Sequence, residues 1–185
     1  MSATTYIQLT DELFEVSGGS AFSGSLELSE LKAGPDVLRF HEPLPWNVFI
    51  SNTGEGMLLA TGSIDGCATI DCARCLEPFE IDLEGEIEGF IFITDPGDNL
   101  PEDMEEDEYL VVDERHGVDI EPFLEAALVL DVPLVPLHDE DCQGLCPNCG
   151  KNLNEGPCDC VSEPDPDFEQ ARNPFAALKD FKFEN

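Results

Sequence analysis

From Met57 to Ile93 the chain alternates apolar and polar residues over a longer run than anywhere else, and that alternation leaves little choice of fold. Leu58, Ala60, Ile64, Ala68, Ile70 and Cys72 share one parity, with polar residues or Gly between most of them. After Cys75 the parity restarts, with Phe79, Ile81, Leu83, Ile87, Ile91 and Ile93 on one side and Glu80, Asp82, Glu84, Glu86 and Glu88 on the other. Side chains on a strand change face at every residue, so this stretch predicts two long antiparallel strands with one dry and one wet face. Gly85 and Gly89 are read as bulges or a bend, because each strand is unusually long. Phe22, Leu26 and Leu28, then Trp46, Val48 and Ile50, predict further strands, and Tyr109–Val112 a short one.

One helix follows. Asp119 is read as its N-cap, with Glu121 and Pro122 in the first turn, where a missing N–H costs little. Phe123, Leu124, Ala127 and Leu128 fall on one face at helical spacing, and Pro133 stops the helix near Val129–Asp131. Asn173-Pro174 opens a last short helix carrying Phe175, Leu178 and Phe181. The fold class expected is α+β: an antiparallel β-sheet with one packed helix, plus a C-terminal cysteine knuckle and a short terminal helix. Residues 1–137 form the mainly β domain, 138–160 the knuckle, and 161–185 an acidic linker with the terminal helix.

Charge limits what the chain can bind. Forty-one acidic residues against eight basic ones leave a formal charge of −33. Nucleic-acid affinity comes largely from Lys and Arg displacing counterions, so direct binding to a phosphate backbone is disfavoured. The cations (Lys32, Arg39, Arg74, Arg115, Lys151, Arg172, Lys179 and Lys182) are also scattered. A basic partner is favoured instead. No run of eighteen apolar residues exists to span a membrane as a helix. The opening MSATTYIQLTDELF lacks the basic start and apolar stretch of a signal peptide, so a cytoplasmic location is expected.

In that compartment clustered thiols are better read as metal ligands than as disulfides. Cysteines 142, 146, 149, 158 and 160 lie within nineteen residues. In Cys146-Pro147-Asn148-Cys149-Gly150, two intervening residues let both sulfurs grip one ion while Gly turns the backbone beneath them. Cys158-Asp159-Cys160 supplies the returning pair. Tetrahedral zinc takes four thiolates, so Cys146, Cys149, Cys158 and Cys160 are the first candidate site. Cys72-Ala73-Arg74-Cys75, a two-residue turn flanked by cysteines at a hairpin tip, needs partners from elsewhere. His138 and Cys142 can supply them if the helix packs on the sheet, which makes a second candidate site. Two alternatives stay open: a single zinc using Cys142 with three of the other four, or a redox-active Cys72/Cys75 pair. Cys67 has no partner at motif spacing and is read as core. No nucleophile–base pair, P-loop or dinucleotide fingerprint is present, so no enzymatic activity is expected.

Taken together, Cys72-x-Arg74-Cys75-Leu76, the helix from Asp119-Ile120 into Leu134-Val135-Pro136, and Cys142-x-Gly144-Leu145-Cys146-Pro147-x-Cys149-Gly150-x-Asn152-Leu153-Asn154 resemble the YceD family, named for large-subunit ribosomal RNA accumulation. The resemblance covers roughly residues 25–182. It implies a role in making or accumulating that RNA, with no family activity as an enzyme. In bacteria the family's gene commonly neighbours one for a small basic large-subunit ribosomal protein. Some relatives carry His for Cys158 and Cys160, an exchange that zinc ligands tolerate, and some lack the knuckle. Many follow it with Asp-Pro-Arg, where this chain has Asp165-Pro166-Asp167.

The resulting expectation is a non-enzymatic factor in large-subunit RNA accumulation or ribosome assembly, holding one zinc or two. Its partner would be a basic large-subunit ribosomal protein or a pre-ribosomal particle. Between Asp95 and Glu125 thirteen acidic residues face one Arg. Within that run Glu102, Asp103, Glu105, Glu106, Asp107 and Glu108 are the candidate partner-binding residues. The alternative is a thiol-redox or metal-handling protein working through its CxxC pairs.

Overall fold

The structure, a computed structural model, describes residues 5–97, 100 and 109–160. The six carboxylates from Glu102 to Glu108, the 161–169 linker and the terminal helix expected after Asn173 lie outside the described residues. The chain divides into two compact units, Met1–Cys142 and Gln143–Asn185. Residues 138–142, read from the sequence with the knuckle, therefore belong with the sheet.

In the first unit the chain runs β1 (Tyr6–Gln8), a 3-10 turn (Asp11–Phe14), β2 (Gly19–Leu26), β3 (Glu30–Ala33), β4 (Asp36–Phe40), β5 (Leu44–Gly54), β6 (Met57–Asp71), β7 (Pro78–Phe92), β8 (Tyr109–Val111), β9 (Gly117–Asp119) and α1 (Glu121–Asp131). The centre is β6. One of its edges pairs with β7 over the whole strand, from Met57 opposite Phe92 to Asp71 opposite Pro78. The other edge is shared: β5 takes the first half, from Asn52 opposite Leu58 to Trp46 opposite Ile64, and β4 takes Ala68 and Thr69. β2 lies beyond β5, β3 beyond β4, and β8 runs parallel beyond β7. β1 and β9 form a separate antiparallel pair. Among the described residues no helix is long and apolar enough to cross a membrane.

The parity read from the sequence sets the core. Leu58, Ala60, Ile64, Ala68 and Ile70 of β6 are buried with Leu83, Ile87 and Ile91 of β7 and with Trp46, Val48 and Ile50 of β5. Phe123, Leu124, Ala127 and Leu128 of α1 close over this face. Burying a Phe or Leu side chain contributes about 1.5–3 kcal/mol, which holds so short a helix in place. On the opposite face Glu80, Asp82, Glu84, Glu86 and Glu88 are all exposed.

Three local expectations are corrected. Gly85 and Gly89 are neither bulges nor bends, since the β6–β7 register runs through them without a shift. They leave room for α1: a Cβ on Gly85 would lie 2.8 Å from the carbonyl carbon of Ala127, and one on Gly89 would lie 2.5 Å from the Phe123 ring. The helix cap is Ile120, not Asp119, because Asp119 is still paired with Tyr6 in β9. Its carboxylate nonetheless accepts from the Glu121 N–H at 3.1 Å and from the Thr5 hydroxyl. Cys67 is exposed, not core, because it has the parity of Asp65 and Thr69 and sits opposite Asp82.

Gly85→Ala should therefore destabilise the protein by about 1–3 kcal/mol, since the clash is with helix backbone that cannot rotate away. Urea unfolding followed by circular dichroism checks this. A position needed only for a bend would tolerate Ala with little change in midpoint.

Candidate metal centres

The connection between β6 and β7 spans residues 72–77, six residues in place of the two-residue turn expected. It is a wound loop. The Cys72 N–H donates to the Glu77 carbonyl (2.9 Å), the Leu76 N–H donates to the Cys72 carbonyl (2.9 Å), and Leu76 takes a φ of 61°. Winding the chain this way aims the Arg74 and Cys75 N–H groups at the Cys72 sulfur.

The segment after α1 returns to this loop. Pro136 accepts from the Ala73 N–H at 2.8 Å, and the Arg74 guanidinium donates to the carbonyls of Glu140 (3.1 Å) and Cys142 (2.9 Å). Held there, His138 Nδ1 lies 3.4 Å from Cys75 Sγ, and Cys142 Sγ lies 3.9 Å from Cys72 Sγ. Ligand atoms of Cys72, Cys75, His138 and Cys142 all lie within 4.8 Å of one another, an arrangement that could hold a metal ion. Cys142 thus joins the hairpin tip. Arg74 was not assigned a role from the sequence; its signal was a rare cation between two cysteines of a strongly acidic chain.

In the second unit Cys146, Cys149, Cys158 and Cys160 also bring their sulfurs within 4.8 Å of one another. Cys158 Sγ is 3.3 Å from Cys146 Sγ. The backbone repeats that of the first loop bond for bond. Cys146 N–H donates to the Lys151 carbonyl (2.8 Å), Gly150 N–H donates to the Cys146 carbonyl (2.9 Å), and Gly150 takes a φ of 73°. A cation again ties the returning segment, here Lys151 Nζ to the Pro157 carbonyl at 2.8 Å. The Asn154 amide oxygen accepts from the Gln143 N–H (2.7 Å), and the Leu153 N–H donates to Gly144 (2.9 Å), so this small unit is closed on itself.

The electrostatics follow from these amides. Burial disfavours the Cys72 thiolate, yet the N–H groups of Cys75, His138 and Arg74, helped by the His138 side chain, outweigh it and hold the thiol at about 5. Burial, with Cys72 and Cys142 close by, pushes Cys75 up to about 11 against a favourable Glu77 N–H. The N–H groups of Cys149 and Asn148 and the Cys158 side chain bring Cys146 down to about 6. Cys149, burial and Cys146 raise Cys160 to about 12. Each cluster thus has one sulfur prepared as a thiolate and a neighbour that resists ionising beside it, as close thiols must until a cation joins them.

Residues 60–182 match the family model described as "Large ribosomal RNA subunit accumulation protein YceD", a stretch that contains all eight of these residues. Uncharacterised proteins of Mycobacterium tuberculosis and Mycobacterium bovis are each 34% identical over 113 residues, covering 58% of this chain and 50% of theirs. The chain therefore spans about half the length of these mycobacterial relatives. A Haemophilus influenzae protein named as a large ribosomal RNA subunit accumulation protein is 28% identical over 129 residues, covering 69% of this chain and 67% of its own. No solved structure matches.

The two loops differ at the residue that turns left-handed. Gly150 meets that φ without strain, whereas Leu76 meets it with a Cβ and leaves a side chain 64% exposed. A left-handed conformation costs a non-glycine residue about 1–2 kcal/mol. Leu76→Gly should therefore raise stability by about 1 kcal/mol, once glycine's greater freedom in the unfolded chain is subtracted. Chemical denaturation of the two proteins, with equal metal content, checks it.

Proposed function

For this chain, which belongs to the YceD family, we propose a non-enzymatic role in accumulation of the large ribosomal RNA subunit, exercised in the cytoplasm through a basic large-subunit ribosomal protein. The family match over residues 60–182 carries the ribosomal part of this reading. The formal charge of −33 supports a protein partner over RNA. Of the five cations among the described residues, Arg39 pairs with Asp71 at 3.5 Å, while Arg74 and Lys151 are tied to backbone carbonyls.

Zinc is the metal that both donor sets fit. At a Zn–S distance of about 2.3 Å, two sulfurs on a tetrahedral ion lie about 3.8 Å apart. The 3.9 Å between Cys72 and Cys142 agrees with this, and the 3.3 Å between Cys146 and Cys158 needs only a small opening. Three thiolates with one imidazole, and four thiolates, each fill a tetrahedral shell, leaving no position for a substrate. The ions would supply cross-links and charge neutralisation. One would pin residues 138–142 to the hairpin tip, and the other would hold 146–160, which has few apolar residues to fold on.

Protein purified anaerobically should contain two zinc ions per chain by mass spectrometry of the metal. Cys149→Ser should retain the ion at the hairpin tip, and Cys72→Ser the other. Fewer than one ion in the wild type would overturn the assignment.

The partner is tested by pull-down from growing cells, where basic large-subunit proteins or their precursors should be enriched. Replacing Glu102, Asp103, Glu105, Glu106, Asp107 and Glu108 with Gln and Asn should slow association and flatten its salt dependence, with zinc content unchanged. Enrichment of no large-subunit component would overturn the reading.

A further inference from the structure

An open sheet has outer strands, and natural proteins keep them from pairing with other chains by making them short, charged, proline-bearing or bulged. Two outer strands of the seven-stranded sheet follow that rule. β8 has three residues, and β3 has four, two of them Glu30 and Lys32. β2 breaks it. Its eight residues, Gly-Ser-Ala-Phe-Ser-Gly-Ser-Leu, carry no charge and no proline in a chain with forty-nine charged residues. They pair with β5 without a bulge, from Gly19 opposite Ser51 to Leu26 opposite Leu44. Among the described residues, no backbone hydrogen bond joins residues 19–26 to anything except β5. About half of the strand's N–H and C=O groups therefore point away from the sheet.

Two further features suit this edge to a visitor. A Cβ on Gly19 would lie 2.6 Å from the Phe49 ring, and one on Gly24 would lie 2.6 Å from the Trp46 ring. The rings of β5 thus take the space beside the glycines, and apart from Phe22 and Leu26 β2 presents only small residues, which let another backbone come close. Exposed carboxylates flank both ends. Glu15, whose carbonyl takes the Gly18 N–H, stands at one, and Glu27 follows Leu26 at the other.

We propose that the outer edge of β2 is a docking edge, and that its occupant is an extended segment of a basic protein, which joins the sheet as a further strand through main-chain hydrogen bonds. Charge selects the occupant. Two copies of a chain at −33 repel, so the chain's own field guards the edge against self-pairing while drawing a cationic strand to it. This rests on the reading above that the partner is basic, and it names the surface used.

The probe is a synthetic octapeptide alternating Lys and Val, with a Glu-for-Lys version as control. The Lys peptide should bind, and amide hydrogen exchange within residues 19–26 should slow at least tenfold. N-methylation of the amides on one peptide edge should weaken binding at least tenfold, and N-methylation on the other edge should leave it unchanged. Equal binding by both methylated forms would mean attraction by charge alone and overturn the proposal. So would absence of binding, protection appearing elsewhere, outward amides already protected in the free protein, or a high-salt dimer protected at β2. A ribosomal protein that binds without protecting residues 19–26 would sink the docking edge and spare the function. Failure of any ribosomal protein to bind would sink the function, while the peptide still decides the edge.

Discussion

The unbroken pairing of β6 with β7 is the interaction on which the rest is built. Fifteen residues of each strand stay in one register, so a single parity decides which side chains are dry along the whole ribbon. That parity places Ile64 and Ile87 under the helix and turns the carboxylates of β7 outward. It also carries Cys72, the last residue of its parity, to the far end of the hairpin with its sulfur still buried. A slip of one residue would expose the core and turn Cys72 into solvent together.

What was legible in the sequence was periodic. The strands of the hairpin and the buried face of α1 are carried by patterns within a few residues. The cysteine spacings pointed to Cys146, Cys149, Cys158 and Cys160, whereas Cys72 and Cys75 with His138 and Cys142 stood as one of several open arrangements that only the packing of the segment after α1 brings together. What was not legible depended on tertiary contact. Gly85 and Gly89 could be read as breaks because the helix residues that need their emptiness, Ala127 and Phe123, come much later in the chain. The winding of residues 72–77 shows no periodicity, and its left-handed residue is a leucine, which hides the signal a glycine would have shown. Cys67 differs: with no partner at motif spacing it reads as core, although its parity, shared with Asp65 and Thr69, is the outward one.

The two cysteine loops solve one local problem with one backbone. Each first cysteine donates its N–H to the carbonyl five residues on and accepts, on its own carbonyl, the N–H four residues on. Each cradles its sulfur in amides, and each uses a scarce cation to hold the returning segment. They differ in what surrounds them. The loop at residues 72–77 is anchored by two long strands, so it can carry a strained leucine. The loop at 146–151 stands in a small unit with no helix or sheet of its own beyond a single bridge and one 3-10 turn among the described residues, and there the turning residue is glycine.

The outward row on β7 has a consequence for the medium in which this protein works. Glu80, Asp82, Glu84, Glu86 and Glu88 repeat every second residue, about 7 Å apart along one strand, with Asp65 directly across from Glu84. Neighbouring like charges in a sheet oppose its formation. Dissolved cations relieve that repulsion, so a saltier solution favours the folded sheet at the same time as it would weaken attraction to the basic partner proposed above. Ionic strength would thus move folding and the proposed association in opposite directions. The conditions that best keep the molecule together would be those in which such a partner is most readily let go.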